Sequence, residues 1–204
     1  APSNYHPVSH MPIGSDGIQI SAHLTEEANR FFALVPIQSA THTAVANGDW
    51  TNPATWSNGV VPTAGAKVHI GAGVIVRFNG YMTAAIDWLR IDGALQFAVD
   101  QNTQLKADTV VVTTTGKLHI GTAANPVQGH VTARVLIADG GPIDTVRDPY
   151  KLSRGLLSRG EVRMYGQVVT PYASLAINPS QGDTQLRLAS VPTNWKVGDR
   201  LVVT

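Results

Sequence analysis

The feature that most constrains this chain is a glycine-led strand that keeps returning. Gly73-Val74-Ile75-Val76, Gly93-Ala94-Leu95-Gln96, Gly116-Lys117-Leu118-His119 and Gly160-Glu161-Val162-Arg163 are alike. Their spacings are 20, 23 and 44 residues, the last read as two units of 22 with one irregular unit near Val131–Gly141. A period near 22 holding two short strands is the length of one coil in a parallel β-helix. A single coil cannot bury its apolar side, so stacking has to supply the core. Within a unit the pattern alternates: Leu89, Ile91, Leu95 and Phe97 are expected inward, and Arg90, Asp92 and Gln96 outward. Val110, Val112, Leu118 and Ile120 share one parity in the next unit. The competing arrangement is an antiparallel sandwich of short strands, which rarely keeps so regular a period.

Composition agrees with an all-β chain. Its 204 residues include 19 Gly and 12 Pro, and charged residues are only 14%. Helical bundles need more Glu, Lys and Arg than that. A net charge of +1 gives no long-range attraction for nucleic acid. The absence of cysteine excludes disulfide scaffolds, thiol catalysis and cysteine zinc sites. No apolar run is long enough to span a bilayer. The only Asn-x-Ser/Thr site, Asn178-Pro179-Ser180, is disqualified by its proline, in keeping with a bacterial exported protein.

Residues 1–45 read differently, as an N-terminal arm followed by a capping helix. Thr25 is the expected N-cap, Glu26 and Glu27 fill the first turn, Phe31, Phe32, Leu34 and Val35 give the apolar side, and Pro36 ends the helix. Residues 46–204 form the expected coil domain, with Thr204 falling in mid-strand, as in a piece of a longer protein.

The stretch Trp50-Thr51-Asn52-Pro53-Ala54-Thr55-Trp56, followed by Gly59-Val60-Val61-Pro62-Thr63-Ala64-Gly65, resembles the opening of the G8 domain, named for its glycines. The closing run Asn194-Trp195-Lys196-Val197-Gly198-Asp199-Arg200-Leu201 is similar to the family's Asp-Trp-x-x-Gly-Asp-x-Ile, with Asn194 in place of Asp. The likeness covers residues 46–204. It implies a right-handed parallel β-helix, a secreted or cell-surface location, and kinship with proteins that bind and depolymerise hyaluronan and with fibrocystin-like proteins.

Three functions are therefore open: a polysaccharide-binding module of a larger carbohydrate-active protein, a segment of an enzyme that depolymerises an anionic glycan, and a structural solenoid. Arg77, Arg90, Lys117, Arg134 and Arg163 fall at outward positions. Like charges about 5 Å apart on stacked coils repel by roughly 1 kcal/mol. The row is thus either interleaved with Asp92 and Glu161 or held for an anionic, hyaluronan-like glycan. Arg77, Arg90, Lys117, Arg163, Tyr165 and Trp56 are the candidate ligand-binding residues. Trp50 and Trp56 either stack on sugar rings or plug the open end of the coil. No carboxylate pair can be named as catalytic from spacing. No His-x-His occurs, and His6 and His10 flank Pro7, so no metal site or other cofactor is expected. His69 and His119 are read as exposed strand residues, Asp49 and Asp199 as turn residues bonding backbone, and Asp139–Arg159 as a long loop.

Overall fold

The computed structural model describes residues 29–203. The described chain is mostly β, with parallel strands in two sheets, one short α-helix over residues 29–34 and two single 3-10 turns, Ile37–Ser39 and Pro53–Thr55. The strands are β1 (His42–Ala44), β2 (Gly48–Asp49), β3 (Lys67–Ile70), β4 (Ile75–Phe78), β5 (Ile86–Ile91), β6 (Ala94–Phe97), β7 (Thr103–Val112), β8 (Lys117–Ile120), β9 (Ala133–Ile137), β10 (Leu156–Ser158) and β11 (Glu161–Met164). Sheet one runs β1-β3-β5-β7-β10, with β9 also paired to β7; sheet two runs β2-β4-β6-β8-β11. Through β8 the chain alternates between the sheets. Every strand pair is parallel, which excludes the antiparallel sandwich.

The register explains the alternation. Val68, Leu89 and Val110 are Cα partners in sheet one, and Val76, Leu95 and Leu118 in sheet two. Side chains that alternate along a strand therefore stack like on like between strands. Val68, Ile70, Val76, Phe78, Leu89, Ile91, Leu95, Val110, Val112 and Leu118 are all fully buried in one core. Lys67-Val68-His69-Ile70 and Lys117-Leu118-His119-Ile120 are alike in sequence but lie on different sheets, as β3 and β8.

Glycine marks the corner between the sheets, but not in the alignment the repeat gave. Ala94 pairs with Ile75 and with Lys117, so Gly93 and Gly116 stack on Val74, not on Gly73. A Cβ at Gly116 would lie 2.0 Å from the carbonyl oxygen of Ile91, and Gly93 and Gly160 meet the same obstacle from the turn below. Close approach of backbone requires glycine there. Gly73 answers a different need, a φ of +81° in the preceding turn.

The 44-residue spacing is not two coils. β11 bonds directly to β8, from Glu161–Lys117 to Met164–Ile120. The intervening unit supplies only β9, against the first half of β7. The chain then leaves the stack and returns at β10.

The end of the stack at β1 and β2 is closed by aromatics. Trp56 and Trp50 meet edge to face at 4.9 Å, Trp50 and Phe78 at 5.1 Å, and Phe78 and Phe97 pack at 4.8 Å. Trp56 Nε1 donates to the Trp50 carbonyl at 2.9 Å. Residues 55–57 run antiparallel along β1, through Val45 N–Thr55 O and Ser57 N–Thr43 O bonds, and cover its open edge.

Thr25, Glu26 and Glu27 lie outside the described residues. The helix stops before Pro36, as expected. It packs on the outer face of sheet one: Leu34 and Val35 bury Trp88 and Val111. Beyond Met164 no further strand forms among the described residues. Leu201–Val203 lie in none, contrary to the strand expected there; Gly166 forms an isolated parallel bridge with Val127, and Leu175 an isolated antiparallel bridge with Leu188.

Candidate functional site

The outer faces of the two sheets differ. On sheet one, Thr43, His69, Arg90, Val111 and Leu157 form one cross-strand row. The helix and the segment 147–152 pack against its Arg90 and Val111 end. Phe32 lies under the Arg90 guanidinium at 4.4 Å, Arg147 Nη2 donates to the Leu34 carbonyl at 3.0 Å, and Leu152 and Leu157 pack alongside. The long loop is thus ordered around a buried acid. Asp148 accepts from Leu152 N, Ser153 N and Ser153 Oγ at 2.9, 2.7 and 2.6 Å. Burial raises its pKa, but these bonds outweigh that and hold it below the usual carboxylate range.

On sheet two, Asp49, Arg77, Gln96, His119 and Arg163 form the corresponding row, and Ile75, Ala94, Lys117 and Glu161 the row beside it. Nothing among the described residues covers this face as the helix covers sheet one. Its outward polarity follows from alternation, since Val76, Leu95 and Leu118 take the inward places.

Each face carries a His–carboxylate–Arg trio. On sheet one, His69 Nε2 and Arg90 Nε both donate to Asp92 Oδ2, at 2.7 and 2.9 Å. Burial pushes the Asp92 pKa up, but the bonds from His69, Arg90 and Thr113 win and hold it far below its ordinary value. On sheet two, His119 Nε2 and Arg163 Nε reach Glu161 Oε1 at 2.6 and 2.7 Å. The His119 bond, helped by the Arg163 charge, lowers the Glu161 pKa against a slight effect of burial.

The candidate residues are therefore dispersed over several surfaces. Arg77, Lys117 and Arg163 share the open face, with Tyr165 just past the end of β11. Arg90 lies on the other sheet, its side chain 12% exposed. Arg134 sits opposite Gln104, on neither row. Trp56 is 2% exposed, inside the aromatic plug. His69 is buried, unlike the exposed position expected of it. Its side chain points outward from the sheet but beneath the cover. The charges are interleaved: Arg77 lies 3.6 Å from Asp49 and 3.2 Å from Asp100. Lys117 makes no ion pair within 4 Å among the described residues, although Glu161 feels its charge. Asp199 accepts from Lys196 N at 2.7 Å, the turn role expected, whereas the Asp49 carboxylate pairs with Arg77. Gln96 and Ala94 carried no chemical signal in the sequence; only the register places Gln96 between Arg77 and His119, and Ala94 between Ile75 and Lys117. No group of three or more metal-ligating side chains converges among the described residues. None of the described helices is long and apolar enough to cross a membrane.

These features define a parallel, glycine-cornered β stack with one covered and one open face. The G8 domain family matches residues 55–176, and the chain belongs to that family. It is similar to mouse fibrocystin, 27% identical over 159 residues, and to mouse fibrocystin-L, 25% identical over 156 residues. Each match covers 76% of this chain but only 4% of the relative. No solved structure matches the chain.

Proposed function

We propose that this chain is an extracellular polysaccharide-binding module of a larger carbohydrate-active protein, and that sheet two is its binding face. The two sheets are then walls of a right-handed parallel β-helix, the hand favoured for parallel connections. The coil domain then begins at β1 and not at residue 46, with the segment before it as arm and cover. The observation that carries the reading is the face of sheet two, which no described residue covers as the helix covers sheet one. Its donors and acceptors stand in straight rows, one per strand, about 5 Å apart along the stack. An extended polymer can lie across such rows, and Arg77 and Arg163, already fixed by carboxylates, present their remaining N–H groups to hydroxyls. The unpaired Lys117 favours an anionic glycan.

The test is retention of the whole chain on an array of acidic and neutral polysaccharides. Retention that falls in an Arg163→Ala Gln96→Ala variant is expected. Absence of retention on every polymer overturns the reading and leaves a structural solenoid. Release of new reducing ends would move the function to depolymerisation.

A further inference from the structure

The two ends of the stack are finished differently. At the first, Trp50 and Trp56 plug the core and residues 55–57 cover the edge of β1. At the last, β11 has β8 on one side and no strand on the other among the described residues. Glu161 N donates to the Gly116 carbonyl and Tyr165 N to the Ile120 carbonyl, so Glu161, Arg163 and Tyr165 turn their backbone toward β8. The N–H and C=O groups of Val162 and Met164 alternate with these and point to the free edge. Inward side chains are left showing at the same end. Met164, Ile137 and Leu156 pair with the core residues Ile120, Ala107 and Val110, yet they are 58, 40 and 37% exposed. A free edge beside an exposed core is a template for one more layer of strands.

Which layer fits follows from the sequence of β11 itself. A second copy that offers the same edge can pair with it only antiparallel, about a twofold axis. Edge-facing residues must then oppose edge-facing residues, so the axis passes through Val162 or through Met164. Through Val162, Glu161 stands opposite the partner's Arg163, and Arg163 opposite the partner's Glu161. These are non-hydrogen-bonded positions, about 4.5 Å apart, where side chains come closest. On the core side Val162 meets the partner's Val162, and Met164 meets the partner's Gly160, which has no side chain. Through Met164, Arg163 would oppose Tyr165 and Glu161 would oppose Gln167, with no opposite charges facing. We infer that β11 is a self-complementary edge by which two copies of this chain join tail to tail, in the register centred on Val162. The exposed ends of the two cores then close on each other, and the outer faces of the two copies of sheet two run on continuously. Such pairing is independent of what sheet two binds.

Sedimentation equilibrium of the whole chain tests it. A reversible monomer–dimer equilibrium is expected, stopping at the dimer because a twofold contact closes on itself. Amide exchange at Val162 and Met164 is expected to slow as the dimer fills. Glu161→Arg sets two arginines against each other, and Arg163→Glu sets two glutamates. Each is expected to weaken dimerisation at least about tenfold. An equimolar mixture of the two variants restores both opposite-charge pairs, and a heterodimer about as strong as the unmodified dimer is expected. Both side chains lie on the surface, and thermal midpoints confirm that the variants fold. A chain that stays monomeric up to about 100 µM, or that grows beyond the dimer, overturns the inference. So does a dimer whose Val162 and Met164 amides exchange as fast as in the monomer. Undiminished dimerisation of the single variants, or a mixture that stays monomeric, overturns the Val162 register and with it the self-complementary edge.

Discussion

Sheet one and sheet two carry the same trio on their outer faces, and the molecule uses them differently. His69, Asp92 and Arg90 are 10, 15 and 12% exposed, with the Phe32 ring packed against the Arg90 guanidinium. His119, Glu161 and Arg163 are 14, 33 and 54% exposed, with no such cover among the described residues. The His and Arg placements do not decide the difference, since His69 and Arg90 on one face, like His119 and Arg163 on the other, are Cα partners on parallel strands, with Asp92 in the turn after β5 and Glu161 within β11. What lies over them decides it. Under a cover, the trio is a polar network that must be satisfied internally. In the open, the same groups can exchange partners with solvent or ligand.

The largest expected contrast is between Trp88 and Gln96, each on an outer face. Trp88 is fully buried against Leu34 and Val35. Trp88→Ala leaves a cavity under the helix and is expected to cost about 3–5 kcal/mol. Gln96→Ala is expected to stay within about 0.5 kcal/mol, as exposed substitutions usually do. Urea denaturation of the two variants measures both. Equal losses would mean that the helix does not stay on sheet one in solution.

A smaller contrast separates the two arginines. Arg90→Ala removes a charged donor from Asp92 and the guanidinium from above Phe32, and is expected to cost about 2–3 kcal/mol. Arg163→Ala, at an exposed pair, is expected to cost no more than about 1 kcal/mol. Should Arg163 prove the costlier, the assignment of covered and open faces would be reversed.

These contrasts also show what the sequence made legible. Alternation alone placed Leu89, Ile91, Leu95 and Phe97 inward, because parity is a local property of a strand. The family was expected from the runs Trp50–Trp56 and Asn194–Leu201 over residues 46–204; the family match spans 55–176, so the closing run lies outside it. The assignment of a residue to one sheet or the other was not legible. Arg77 and Arg90 are 13 residues apart and both outward, yet they lie on different sheets, because loop lengths set that phase. The trios were hidden for a related reason. His69 meets Asp92 across 23 residues and His119 meets Glu161 across 42, separations fixed by register alone. The insertion after β9 broke the period, and only the direct β8–β11 pairing shows that no coil fills the gap.

The smallest contrast is in the response to acid. Asp92 and Glu161 both have folded pKa values below their ordinary ones. A depressed carboxylate stabilises the fold above the unfolded-state pKa of about 4. That stability is lost as pH falls through the folded pKa, because the unfolded chain takes up the proton first. Asp148, also depressed, contributes to the same limb. His42, whose pKa burial lowers, starts a separate and shallower loss below about pH 6.5, since protonation there again favours the unfolded chain. The two trios part on salt. Glu161 is exposed enough for its ion pair to be screened, whereas Asp92 is shielded by the cover. Urea midpoints between about pH 5 and pH 2 should therefore show a shallower acid limb for Asp92→Asn than for the unmodified chain, at low and high salt alike. Glu161→Gln should flatten the limb only at low salt. A salt-sensitive Asp92 limb would show that water reaches sheet one, and that the cover over its trio opens in acid before the stack beneath it unfolds.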